Sequence, residues 1–136
     1  ATIKVPCTPD GLRACRELAR DLVNVNVTLI FSAAQAILAA KAGAKYVSPF
    51  VGRVDDNSFD GIDLVDQISD IYTIQNIRKT EILAASVRDV KTVSDAFGAG
   101  AHVVTMPPSI LEKMYNHVLT DRGLYQFDLD WAKVKR

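Results

Sequence analysis

Five short apolar runs punctuate the chain: Thr2–Cys7, Val25–Phe31, Lys45–Val51, Glu81–Val87 and His102–Met106. They read as near-continuous hydrophobics rather than alternating ones, which suits strands buried on both faces of a parallel sheet. Between them the apolar spacing changes to threes and fours. Thr8-Pro9 supplies an N-cap followed by a proline at the first helical position, and Leu12, Cys15, Leu18 and Leu22 continue one face. Ser32 to Gln35 is a capping box that opens an alanine-rich helix, which Gly43 ends. Asp60 caps a helix over Gly61–Tyr72, Asp89 caps Val90–Phe97, and Pro108-Ser109 opens Ile110–His117. A last amphipathic helix runs from about Gly123 to Lys133, with Leu124, Phe127 and Trp131 on one stripe.

Strand–helix alternation repeated five times is the signature of a parallel α/β fold. The reading is one domain over residues 1–136. Two architectures fit the pattern: a small doubly wound sheet, or five-eighths of a (β/α)8 barrel. A closed barrel needs about 250 residues, with a floor near 200, so 136 residues are too few to close one. No GxGxxG and no Walker loop occurs, which removes support for a Rossmann or P-loop nucleotide site. The chain opens on Ala1 rather than Met, with only Thr2 before an apolar strand residue. That abrupt start suggests a processed leader or the later part of a longer protein.

Composition narrows the function classes. Apolar residues make up 49%, enough for a packed core. Sixteen basic residues balance sixteen acidic ones. Neutrality argues against a general polyanion binder such as a nucleic-acid protein, and leaves room for a local cationic pocket. Cys7 and Cys15 lie in or near apolar segments and read as two buried thiols rather than a disulfide; no metal-ligand cluster is evident. No apolar run reaches the roughly 18 residues of a membrane span, and no signal-peptide pattern opens the chain. The expectation is a cytoplasmic protein.

In either parallel architecture the chemistry sits beyond the C-terminal ends of the strands. The polar residues in or just after the runs are Lys4 and Thr8, Asn26 and Thr28, Ser48 and Arg53, Ser86 and Arg88, and Thr105. Lys4 lies inside an apolar strand. Burial would lower its pKa from about 10.4 and give the free amine that a Schiff-base nucleophile requires. The competing reading is a lysine near a frayed end with its amine in water. Arg53, Ser86 and Arg88 at one rim could hold a phosphate by forked, charge-assisted hydrogen bonds. The alternative pairs Arg53 with Asp55 or Asp56 in a surface loop. Those two carboxylates read as solvated or arginine-paired more readily than as an acid–base couple. Thr28 could order a water for proton transfer or simply bond backbone. His102 and His117 have no evident carboxylate partner and read as structural or capping residues.

Several blocks occur together and in order: KVPCTPDGL, NVTLIFSAAQAILAAKAGAKYVSPFVGRVDD, ILAASVRD, HVVTMPPSI and HVLTDRGLYQFDLDW. Over almost the whole chain they resemble the small transaldolase family, which includes the bacterial fructose-6-phosphate aldolases. The resemblance implies a (β/α)8 barrel and a lysine Schiff-base mechanism without metal or organic cofactor. It implies Lys4 as the Schiff-base lysine on the fourth barrel strand and Thr28 as the threonine that holds a catalytic water. Asn26 would contact the dihydroxyacetone unit, Ser48 would line the substrate pocket, and Arg53, Ser86 and Arg88 would bind phosphate. Phe50 stands where the aldolases carry a tyrosine, which favours transaldolase over aldolase. The implied reaction moves a dihydroxyacetone unit from sedoheptulose 7-phosphate or fructose 6-phosphate to glyceraldehyde 3-phosphate or erythrose 4-phosphate, in the pentose phosphate pathway. The family also implies a ring-built homo-oligomer whose C-terminal helix, around Phe127 and Trp131, crosses to a neighbour.

One departure is large. With Lys4 on strand four, strands one to three have no counterpart, about 80 residues at roughly 25–30 per unit. In the family those strands supply an aspartate for proton transfer, an asparagine near the substrate, and the Glu or Gln that orients the water. The 136-residue chain alone is therefore expected to be a partial barrel of five units plus a C-terminal helix, without efficient catalysis. A non-catalytic sugar-phosphate-binding remnant is the alternative.

Overall fold

The computed structural model describes residues 1–134. Five strands, β1 (Thr2–Pro6), β2 (Asn24–Ile30), β3 (Tyr46–Pro49), β4 (Glu81–Ala84) and β5 (Val103–Val104), form one sheet in sequential order. Every ladder is parallel. Sequential order with a helix in each crossover leaves the helices on one face and starts the curl of a barrel. The doubly wound alternative would reverse the strand order at a switch point, and no reversal occurs among the described residues.

Register decides which face each side chain takes. Partners in a parallel ladder point the same way, so Val5, Val27, Val47 and Ile82 form one row. Val27, Val47 and Ile82 in that row are fully buried. Each contributes roughly 1.5–3 kcal/mol through burial. The helices α1 (Pro9–Arg20), α2 (Ala33–Lys41), α4 (Gly61–Ile74) and α5 (Val90–Gly98) cover this face. Their contributions include Cys15, Ala36, Ala39, Val65, Ile68 and Val93. Small residues on α2 let it lie close to β2 and β3. The Tyr72 hydroxyl then ties α4 to α2 by donating to the Ala36 carbonyl at 2.7 Å.

The opposite face carries the row Lys4, Asn26, Tyr46 and Glu81. This corrects the expectation of strands buried on both faces. Only one face is packed by helices; the other is concave, polar and partly open, as the interior of an unclosed barrel would be. β1 and β5 are its free edges. β1 bears Pro6, whose missing N–H is tolerable at an edge. β5 is shorter than His102–Met106 as a ladder. Its backbone still runs beside β4, since His102 N–H donates to the Ile82 carbonyl and Thr105 N–H to the Ala84 carbonyl. Pro107 and Pro108 then end the pairing.

The caps fall where the side chains predict. Thr8, Ser32, Asp60 and Asp89 each accept a hydrogen bond from the first turn of the helix they precede. Gln35 reaches back one residue past the N-cap, its Oε1 accepting from the Phe31 amide at 2.8 Å. Three differences stand out. Residues 51–56, read as a loop, form a short helix, α3 (Val51–Asp56), with Val51 and Val54 buried beneath it. α6 spans Pro108–Met114, so the expected Ile110–His117 helix starts and stops earlier. α7 (Val118–Val134) begins before Gly123 and contains no buried residue. His117 helps to start it, its Nδ1 accepting from the Leu119 amide at 3.2 Å. Cys7 and Cys15 are free thiols, as expected; Cys15 is buried, whereas Cys7, expected to be buried, is only half-buried. Burial raises the pKa of both.

Candidate active site

Four of the sequence-derived residues share the concave face. Lys4 pairs with Asn26 across β1 and β2, and Pro6 pairs with Thr28. Ser48 Oγ donates to Asn26 Oδ1 at 2.7 Å in a buried contact. That bond commits the Asn26 oxygen and leaves its NH2 as the group able to donate to a ligand. Lys4 itself is exposed. The buried-lysine reading is thereby corrected for this chain: β1 is an edge strand, and its concave side has a neighbour on one flank only.

Thr28 sits at an irregularity. Val27 opposes Val47, whereas Ile30 opposes Pro49, so β2 advances three residues while β3 advances two. Leu29 absorbs the extra residue at φ +62°. Bulges at the ends of barrel strands re-aim side chains next to active sites. Here Thr28 Oγ1 is buried and has no hydrogen-bond partner among the described residues. A buried hydroxyl left unpaired costs on the order of 1–3 kcal/mol, so the backbone-bonded reading of Thr28 is not what the fold adopts.

The rim past β3 is built by α3. Phe50 precedes that helix and bridges to Ala85 beyond β4. Its ring lies 5.7 Å from that of Phe31, and the Arg53 guanidinium sits 4.9 Å over its face. Ser86 follows β4 at φ +61°. Arg88 then reaches back to α3, donating from Nη1 and Nη2 to the two Asp56 oxygens at 2.6 and 2.8 Å. This fork holds the Asp56 carboxyl below the usual range and raises Arg88, with the Arg53 charge adding to the effect on Asp56. The loop reading paired Arg53 with Asp55 or Asp56. The partner of Asp56 is instead Arg88, while Asp55 accepts from the Gly61 amide at 2.8 Å.

Ser86, Arg88 and Thr105 line a cleft of about 450 Å³ together with Met106 and Pro107. Arg53 borders a different and larger depression, about 890 Å³, between the start of α2 and the helices α3 and α4. Asp60, Asp63, Asp66 and Asp70 stand along that depression, which makes it the wrong sign for a phosphate ester despite its size. Of the expected phosphate set, Ser86 and Arg88 share one cleft, while Arg53, on its aromatic support, borders the other depression.

Gly52 escaped the sequence reading: a Cβ there would meet the Ser86 carbonyl oxygen at 2.2 Å. Asp56 was read as solvated or arginine-paired and does pair with an arginine, but with Arg88, 32 positions away, for which spacing offers no signal.

Comparison with known proteins bears on the fold and on the family. Part of the chain superposes on a mutant flavocytochrome b2 with benzoylformate, at a TM-score of 0.58 and 20% identity, over 70% of this chain and 26% of that one. A mandelate oxidase with benzoyl-formic acid aligns at 0.54 and 21% identity, over 73% and 29%. These likenesses concern the fold alone: an α/β architecture that is part of a (β/α)8 barrel.

The sequence goes further, since a family model, transaldolase/fructose-6-phosphate aldolase, matches residues 1–135, and the chain belongs to that family. It is 58% identical over 133 residues to a probable transaldolase of Paracoccus denitrificans and 56% identical to one of Nitrosopumilus maritimus. Those alignments cover 98% of this chain but only 61% and 60% of the relatives' own lengths.

Proposed function

We propose that this chain carries the Schiff-base half of a transaldolase. The observation that supports the reading most is the shared concave face, where Lys4 lies in register with Asn26, and Ser48 and the unpaired Thr28 hydroxyl stand on the neighbouring strands. The Lys4 amine adds to the ketone of a ketose phosphate, and loss of water forms an iminium ion. The C3–C4 bond then breaks, and its electron pair moves into the iminium to leave an enamine on Lys4. The C4 hydroxyl gives up its proton to a base, for which the resemblance looks to an upstream strand, and becomes the aldehyde of the departing aldose phosphate. The enamine adds to the carbonyl of a second aldose phosphate, and hydrolysis frees the new ketose. Thr28 Oγ1 holds the water that enters and leaves, Asn26 and Ser48 hold the dihydroxyacetone hydroxyls, and Ser86 and Arg88, with Arg53 beside them, hold the phosphate.

The donors are sedoheptulose 7-phosphate or fructose 6-phosphate, and the acceptors glyceraldehyde 3-phosphate or erythrose 4-phosphate. Phe50, which offers no hydroxyl to the enamine, favours transfer over simple aldol cleavage. The working protein is cytoplasmic and homo-oligomeric, and the exposed apolar residues of α7, such as Leu124, Phe127 and Trp131, supply a face for a neighbouring copy. No helix among the described residues is long and apolar enough to cross a membrane.

The test is to incubate the chain with fructose 6-phosphate, reduce with borohydride and digest. A dihydroxyacetone-derived mass is expected on the peptide holding Lys4 and absent from Lys4→Ala. Equal labelling of the variant refutes the reading. A second reading, phosphate binding without turnover, draws on the partial length and the two open sheet edges. It is favoured if a sugar phosphate binds, Arg88→Ala abolishes the binding, and no adduct forms.

A further inference from the structure

The Arg88–Asp56 fork raises a question, because a guanidinium meant for a phosphate is already engaged by a carboxylate. The geometry resolves it. Asp56 takes the terminal edge of Arg88, through Nη1 and Nη2. That leaves the side edge, which includes Nε. A Cβ built on Gly52 would lie 3.2 Å from Arg88 Nε and 3.1 Å from Ser86 Oγ, so these two donors stand side by side against bare backbone. Ser86 and Arg88 line the cleft below Thr105, and Asp56 is not among the residues lining it. The carboxylate therefore grips Arg88 from outside the cleft, while Nε and Ser86 Oγ stand together over Gly52.

We propose that Asp56 is a positioning residue for the anion seat formed by Ser86 and Arg88, holding the guanidinium by its outer edge so that its side edge meets an incoming phosphate. The inference rests on the phosphate reading of the site given above. It adds that a negatively charged residue strengthens the binding of a negatively charged ligand. An arginine without a fixed partner has rotamer freedom to lose on binding; Asp56 removes much of that freedom beforehand. The charges acting on Asp56 are Arg88, from the β4–α5 loop, and Arg53 on α3, while Asp55 acts on Arg88. Asp60, on the packed α4 side, is committed to the Ile62 and Asp63 amides, and Asp89 to Thr92.

Sulfate is a suitable probe, because it keeps its charge through the range where carboxylates titrate. Calorimetric titration of the full chain, Asp56→Asn, Asp56→Glu and Arg88→Ala distinguishes the outcomes, with circular dichroism to establish that each is folded. Arg88→Ala is expected to abolish binding. Asp56→Asn is expected to weaken it roughly tenfold, the loss of one charge-assisted contact, although the cluster becomes more positive. Asp56→Glu, which keeps the charge, recovers part of the loss. Acidification through the titration of Asp56 weakens sulfate binding by the parent chain and leaves the Asp56→Asn affinity flat. Equal or tighter binding by Asp56→Asn with binding still dependent on Arg88 overturns the positioning role alone. Failure of the parent chain to bind sulfate, or binding that survives Arg88→Ala, overturns the phosphate reading and the inference together.

Discussion

Thr28 is the residue whose structure and proposed chemistry pull in opposite directions. Its hydroxyl is buried and unpaired among the described residues, a cost that folding alone would avoid. Thr28→Val, close in shape, is therefore expected to melt at the same temperature or higher, while borohydride trapping at Lys4 falls at least tenfold. A lower melting temperature would mean that the hydroxyl has a structural partner. Ser48 and Asn26 are the contrasting case, since each satisfies the other at 2.7 Å. The polar residues were legible in the sequence because they interrupt apolar strands. Their relations were not. That Asn26 commits its oxygen to Ser48, and that Asp56 holds Arg88, depend on distances that no spacing encodes.

At the scale of elements, caps and strands were readable for a simple reason: both rest on local chemistry. Asp89 illustrates it, with Oδ1 accepting the Thr92 amide at 2.8 Å and Oδ2 the Thr92 hydroxyl at 2.7 Å. Those bonds hold its folded pKa below the ordinary carboxylate value. A depressed folded pKa means stability that is present above the unfolded pKa and lost as pH falls through the folded one. Asp89→Ala is thus expected to cost about 1 kcal/mol at neutral pH. Urea unfolding at a series of pH values should show that difference fade on acidification through the carboxylate range; a constant gap would rule the carboxylate out as its source. The missed α3 shows where local reading stops. Six residues with no side-chain cap become a helix because Val51 and Val54 are buried and Gly52 admits the Ser86 carbonyl, all tertiary conditions.

For the whole molecule the telling contrast is between the two faces of the sheet. One is packed by helices, while the other is polar and partly open between unpaired edges at β1 and β5. Exposed edges and α7 with no buried residue both invite a partner. Sedimentation velocity should show association that rises with concentration. Removal of residues 118–136 is expected to reduce it while shifting the melting temperature by no more than a few degrees, because the deleted helix adds nothing to the core. A large loss of thermal stability would show that α7 packs on its own chain. Length made the incomplete barrel legible beforehand, since 136 residues cannot close one. The fate of the concave face was not, because apolar strands alone do not say which side will be covered.

The irregularity at Leu29 makes β2 unequal in what it can lose over evolutionary time. Because three steps on β2 match two on β3 there, dropping Leu29 restores simple alternation and leaves Ile30 and everything after it facing as before. Dropping Val27 also leaves Ile30 in place, but it moves Thr28 into the position of Val27 and turns it away from the lysine. Single-codon deletions in this stretch therefore fall into two classes, the harmless and the ruinous, separated by two positions.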